Sequence, residues 1–304
     1  MKKLLSYFFL IVVLYIESNG QQQPLYSLYL FNSFLINPGI TGSVDYLPIR
    51  LTVRRQWVGI KDGPTTLALS THYFIENNNI GVGGFIYNDK FGPISETGLQ
   101  GSFAYHLNIS SINSKLGLGL AFKFFQFKLD KSNAILIDEN DASIKKGVTT
   151  RYAPDADFGA YLYNEKFSVG LSTNQLIQVK LNIADTTIGK NQLIRHYYLF
   201  ANYKFNVTEN IDLEPSFFVK GTFKSPWQID INVRAIYNNL YWGGIAYRTS
   251  KDLIVMLGIK YNKFYFGYAF DYTFSELNKF SSGSHELLIG YNVFEGKQKG
   301  STLL

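Results

Sequence analysis

The sequence predicts an all-β chain: a transmembrane, antiparallel, up-and-down β-barrel of about fourteen strands. Three observations carry this. Large apolar residues alternate with small or charged ones at period two over most of the chain. In 264–274, for example, Phe264, Phe266, Tyr268, Phe270, Tyr272 and Phe274 share one face, and Gly267, Ala269, Asp271 and Thr273 the other. Asn-bearing short reversals recur at every second connection. Beyond the first twenty residues no run is long and apolar enough for a spanning helix, whereas a tilted strand needs only about ten residues to cross.

The opening segment reads as a signal peptide over 1–20. Lys2 and Lys3 precede an apolar run from Leu4 to Ile16, and Ser18, Asn19 and Gly20 end it. Segment 21–47 has no clean period and holds Tyr26, Tyr29, Phe31, Asn37-Pro38-Gly39 and Gly42. It reads as an ordered periplasmic or lumenal lead-in packed on or inside the barrel. The barrel is assigned to 48–294 and a periplasmic tail to 295–304. Strands are expected at 49–58, 65–76, 79–88, 95–107, 115–129, 152–163, 166–174, 195–205, 209–221, 227–237, 240–248, 252–261, 264–274 and 284–294.

Connection lengths sort into two sets. The short set contains Asn77-Asn78-Asn79, 108–114, Asn164-Glu165, Asn206-Val207-Thr208, Asn238-Asn239 and Asn262-Lys263. The longer set is 59–64, 89–94, 130–151, 175–194, 222–226, 249–251 and 275–283. Outer-membrane barrels have short periplasmic turns and longer outside loops, and an even strand count puts both termini in the periplasm. Apolar and aromatic residues are then expected to face lipid. His72, Glu96, Gln100, His106, Lys123, Asp157, Asp230, Arg234, Arg248, Asp271 and Glu286 are expected to face the lumen, because charges facing hydrocarbon are costly. A barrel this wide is not filled by wall side chains alone, so the lumen is either open or blocked by the lead-in and the long loops.

Composition narrows the chemistry. With no cysteine, disulfides, thiol catalysis and Cys-bound metals are excluded. The net charge of +6 is modest and scattered, which points away from nucleic acid. The histidines at 72, 106, 196 and 285 lack metal-ligand spacing, so no metal or other cofactor is expected. Gly81-Val82-Gly83-Gly84 sits inside a strand and reads as close packing, not a dinucleotide loop. Asp138, Glu139 and Asp141 read as a solvated loop tip. No nucleophile elbow or catalytic arrangement is found, so the chain is not expected to be an enzyme. Arg54-Arg55-Gln56-Trp57-Val58-Gly59 is the least generic stretch. Trp57 suits an interfacial girdle, but one of two adjacent arginines must face the outer wall, where it snorkels or meets a partner.

Tyr26, Asn37-Pro38 with Gly42, Arg55-Gln56-Trp57-Val58-Gly59 followed by Pro64-Thr65, Gly81 to Pro93, and Ser284-His285-Glu286-Leu287 together resemble the PorP/SprF family. The likeness runs along essentially the whole mature chain. It implies an outer-membrane barrel, in contact with outer-membrane lipid, that works beside the type IX secretion translocon of the Bacteroidota. It further implies partnership with a secreted adhesin or surface protein through a C-terminal sorting domain, in support of export, surface retention or gliding. A periplasmic peptidoglycan-binding subunit is implied for some members, and no catalytic residues. Arg54, Arg55, Gln56, Trp57, Gly59, Asn37 and Pro38 are the candidate partner-binding positions. The competing reading from size alone is a channel or transporter for small or hydrophobic solutes.

Overall fold

The computed structural model describes residues 23–24, 26–132, 147–181 and 192–294. The expected signal segment, the expected tail and the Asp138, Glu139 and Asp141 cluster lie outside them. The strands are β1 (Leu47–Arg55), β2 (Thr65–Ile75), β3 (Ile80–Phe91), β4 (Ile94–Ile109), β5 (Ser114–Asp130), β6 (Val148–Tyr163), β7 (Phe167–Asn174) and β8 (His196–Tyr203). They continue with β9 (Phe205–Asn206), β10 (Ile211–Thr222), β11 (Ser225–Tyr237), β12 (Tyr241–Arg248), β13 (Asp252–Tyr261), β14 (Phe264–Thr273) and β15 (Ser284–Val293). The two-residue β9 prolongs β8 along β10, so the wall is a closed antiparallel barrel of 14 strands. Closure runs from Leu47↔Val293 to Arg55↔His285, pairing the first strand with the last.

Five of the six short turns form as their asparagines dictate; in the sixth Asn206 ends β9 and the reversal is 207–210. Asn79, Asn113, Asn238, Asn239 and Asn262 all have positive φ, between 46° and 55°, the left-handed conformation Asn tolerates and tight hairpins need. Asn164 works through its side chain, whose Oδ1 accepts from the Lys166 and Phe167 amides at 2.8 and 2.9 Å.

The longer set of connections needs correction. Two of its members are two-residue reversals, Gly92-Pro93 and Phe223-Lys224, and the length asymmetry rests on 56–64, 131–147, 175–195 and 274–283. The expected strands stopped at the first polar residues. The ladders continue through them, with Asp89↔Glu96 and Lys90↔Ser95 still in register and Thr222↔Ser225 paired after a one-residue shift, because a strand leaving the bilayer no longer needs apolar side chains.

Alternation across the wall is sharp: Ile231 is 64% exposed and its neighbour Asp230 0%. The interior, however, is not only wet. Phe85, Tyr87, Phe125, Phe127, Tyr161, Tyr163, Tyr198, Phe200, Phe218, Trp242 and Tyr265 are buried on the inward face. They pack on the lead-in, which enters the lumen as three 3-10 turns, Tyr29–Phe31, Ser33–Leu35 and Pro38–Ile40. Tyr29 stacks on Phe218 with centroids 4.4 Å apart, Phe31 lies 4.1 Å from Trp242, and Phe34 lies 5.9 Å from Phe85. This plug touches walls on opposite sides of the barrel. A recess beside it, lined by Phe31, Phe34, Arg50, Ser70, His72 and Tyr265, leaves about 30 Å³, the order of a water molecule. From above, Leu181 and Leu193 of the 175–195 connection are buried in the same cluster as Phe127 and Ala153.

Where the plug meets β3, β5 and β6 its backbone lies directly on wall glycines. Cβ atoms added at Gly81, Gly119 and Gly159 would stand 1.8 Å from the Thr41 carbonyl oxygen, 2.2 Å from the Pro38 carbonyl oxygen and 2.0 Å from Asn37 Oδ1. Gly81 thus serves close packing rather than nucleotide binding. Gly159→Ala should therefore lower stability by about 1–3 kcal/mol through overpacking. Gly101→Ala, where a Cβ meets nothing within 4 Å, should stay within about 0.5 kcal/mol. Urea unfolding of the two reconstituted variants measures the contrast.

Candidate functional site

Two sites emerge, one inside the barrel and one at its rim. The inner site begins with the plug's first turn. The Ser27 and Leu28 amides donate to the Glu286 carboxylate at 2.6 and 3.1 Å, and Ser27 Oγ donates to Asp271 Oδ2 at 2.8 Å. Arg54 from β1 bridges the same two acids, with Nη2 2.6 Å from Asp271 Oδ2 and Nη1 3.1 Å from Glu286 Oε2. Arg248 reaches Asp271 at 3.2 Å and grips Asp230 at 3.0 Å. Beside this, Arg234 pairs Glu214 at 2.7 Å and lays its guanidinium 4.4 Å from the centre of the Phe31 ring. Each of Asp230, Arg234, Arg248, Asp271 and Glu286 is buried in this interior. Burial, with the charge of Asp230 adding, pushes the Tyr29 phenol up, so this plug ring is neutral.

Further along, Asn37 holds the strap. Its Oδ1 accepts from the Gly39 amide at 2.8 Å, and its Nδ2 donates to the Ala160 carbonyl at 3.1 Å. His72 Nδ1 accepts from the Gly42 amide at 3.0 Å. His106 bonds the Thr41 carbonyl through Nε2 at 2.8 Å, and its Nδ1 meets the Tyr163 hydroxyl at 3.0 Å. Among the described residues no three His, Asp or Glu side chains come together in a way that could hold a metal ion.

The rim site is the end of β1 together with the 56–64 connection. Arg55 is exposed on the outer wall. The Gln56 amide donates to Pro64 O at 2.8 Å, closing the connection on itself. Trp57 has φ 52° and sets its ring edge-on to Phe91, 6.2 Å away. The Val58 amide donates to Gly283 O at 2.8 Å and its carbonyl accepts from the Ser282 amide at 2.6 Å, tying this connection to 274–283. Gly59 has φ 103°, and a Cβ there would stand 3.0 Å from Phe280 O. Phe280, Phe274, Leu277 and Phe91 are exposed around it.

The structure thus separates the seven candidate partner-binding residues. Arg55, Gln56, Trp57 and Gly59 gather at the rim. Arg54, Asn37 and Pro38 do not: Arg54 is 1% exposed with its two terminal nitrogens on Asp271 and Glu286, and Asn37 and Pro38 are buried in the plug. The period-two alternation of β1 turns Arg54 inward wherever Arg55 faces out. Sequence reasoning missed Ser27 and Glu214, whose partners are brought in only by barrel closure and register.

The family model "Type IX secretion system membrane protein PorP/SprF" matches residues 18–291. No curated protein matches the chain in sequence. Among solved structures it is similar to the CymD monoaromatic hydrocarbon channel, with a TM-score of 0.53 and 13% identity over 88% of this chain and 94% of that one. It is also similar to the Ralstonia pickettii toluene transporter TbuX, with a TM-score of 0.50 and 10% identity over 89% and 94%. At these identities the likeness is one of fold.

Arg54→Ala would strand Asp271 and Glu286 without one of their shared cations, and breaking a buried network of this kind costs about 3–5 kcal/mol. The expected result is faster hydrogen exchange across residues 27–44 in a barrel that still assembles, read by mass spectrometry of peptides from the reconstituted protein.

Proposed function

Because the chain belongs to the PorP/SprF family of type IX secretion system membrane proteins, we propose that it holds a secreted adhesin or surface protein at the outer membrane through that partner's C-terminal sorting domain. Export or gliding is the process it serves, and translocon components and a periplasmic peptidoglycan-binding subunit are its further partners. The barrel is an outer-membrane barrel of that secretion system. The observation that carries the finer reading is the plug inside the lumen. A plug in contact with opposite walls suits a scaffold better than a conduit. The work then falls to the surface, and to the rim where 56–64 and 274–283 are joined around exposed Phe280 and half-buried Trp57. The role proposed is binding, not catalysis. The long connections face the outside and both termini the periplasm.

The competing reading is a solute channel, favoured by the fold likeness to the CymD monoaromatic hydrocarbon channel. Conductance separates the two: the intact protein is expected to leave planar bilayers sealed, and steady single-channel currents would favour the channel.

Gentle detergent extraction of the tagged protein should co-purify a large secreted chain. Arg55→Ala combined with Trp57→Ala should reduce that recovery and the partner's surface display while the barrel still folds. Recovery of this chain alone would count against the anchor. The cysteine-free sequence makes orientation simple to read. Lys279→Cys should react with an impermeant maleimide on intact cells, and Glu165→Cys should not.

A further inference from the structure

The outer wall carries a row of basic and hydroxyl side chains that the plug does not use and that shares only Arg55 with the rim site. It arises directly from register. Arg55 on β1 stands opposite His285 on one side and Thr65 on the other. Thr65 stands opposite Lys90, Lys90 opposite Ser95, Ser95 opposite Lys128, and Lys128 opposite Thr150. Directly opposed residues in antiparallel strands share a face. So His285, Arg55, Thr65, Lys90, Ser95, Lys128 and Thr150 form one line across six adjacent strands and β15, with cations on alternate strands and hydroxyls between.

The face is the lipid-facing one. Two residues further into the wall on the same side come Leu67 on β2 and the polar Asn88, Thr97 and Gln126 on β3, β4 and β5. Four residues in come Leu69, Ile86, Leu99 and Phe124, all exposed. At about 3.3 Å per residue Lys90 and Lys128 stand roughly 13 Å along the strand beyond this apolar belt, with the polar row between, where long basic side chains can lean toward an interface. The row points sideways from the wall rather than up from the barrel mouth. Among the described residues Arg55 and Lys90 make no ion pair, and Lys128 has only Asp130, 4.0 Å away and about as exposed as itself, an arrangement worth little in water. His285 is held by Tyr268, whose hydroxyl lies 2.6 Å from its Nδ1. Guanidinium and ammonium groups interleaved with hydroxyls present many donors to an oxyanion, and a guanidinium can grip phosphate through two hydrogen bonds at once.

We propose that this row is a binding site for the phosphate groups of outer-leaflet lipid, with Arg55, Lys90 and Lys128 as its cations and Thr65, Ser95 and Thr150 as supporting donors. It rests on the orientation proposed above, in which this end of the barrel lies outside.

The test uses the full-length protein in mild detergent, with native mass spectrometry reading bound lipid. Bis-phosphorylated lipid A is offered in competition with the same lipid stripped of its phosphates. The expected preference for the phosphorylated form is about tenfold or more, and it should persist in millimolar inorganic phosphate. The triple variant Arg55→Gln, Lys90→Gln, Lys128→Gln should lose that preference while keeping the heat-dependent gel shift of a folded barrel. The pair Lys90→Gln, Lys128→Gln leaves the 54–59 stretch intact, so it should weaken lipid retention without affecting partner recovery. Equal retention of both lipids, or an unchanged triple variant, would overturn the proposal. Displacement by inorganic phosphate would show a site for the free ion and overturn the lipid assignment. If Lys279→Cys labels from outside and no lipid preference is found, the row has no such role and the orientation stands; if it fails to label, the orientation falls and takes the proposal with it.

Discussion

A strand in hydrocarbon has no water to satisfy its main-chain groups, and everything in this molecule descends from that constraint. Pairing β15 back onto β1 removes the last open edge. Closure at fourteen strands creates a second demand, because a ring this wide is not filled by its own side chains. The chain meets it by sending 27–44 inside, and the inward faces are differentiated to receive that segment. Glycines stand where its backbone touches the wall, aromatic rings where Tyr29, Phe31 and Phe34 pack, and ions where its first amides need acceptors.

Burying that many charges is not a gain in stability by itself. Removing ions from water costs several kcal/mol each, and an interior of well-packed apolar residues is often as stable or more so. What the network supplies is position. Asp271 accepts from Arg54, Arg248 and Ser27, and Glu286 accepts from Arg54 and two consecutive amides. Those directional bonds can all be satisfied only when the plug's first turn sits in one place. Apolar packing alone would let the same turn slide between rings of similar size.

Much of this was legible in the residues, and the exceptions have physical causes. Period-two alternation located all fourteen strands and the inward position of Asp230, Arg234, Arg248, Asp271 and Glu286, since a one-residue shift would have put those charges in lipid. The asparagines marked the tight turns through their tolerance of positive φ. Strand ends beyond the bilayer were missed at Asp89, Lys90 and Thr222, because hydropathy stops reporting once a ladder continues into water. The inner aromatics were missed, since aromatic residues were expected to face lipid, although a signal for them was present. Adjacent pairs such as Phe124-Phe125, Tyr197-Tyr198 and Phe217-Phe218 must send one ring each way, and the inward member needs something to pack on. The roles of Arg54 and Asn37 were not legible, because their partners lie 217 and 123 residues away in sequence. Only closure and register bring them together.

The adjacent arginines, odd in a membrane strand, make sense at the barrel's seam. Arg54 is locked to Asp271 and Glu286 inside while Arg55 faces out, and across the seam Glu286 and His285 repeat the arrangement on β15. One residue further, Ser284 receives the Trp57 amide, and the 56–64 and 274–283 connections are joined by main-chain bonds. Plug, lipid-facing wall and rim therefore meet within a few residues of two paired strands. Closely packed elements do not deform one at a time. At the seam, β1 and β15 carry the arginine and acid that hold Ser27 on one face and lead within a few residues into the joined rim connections, so the interior and the rim are in direct contact there.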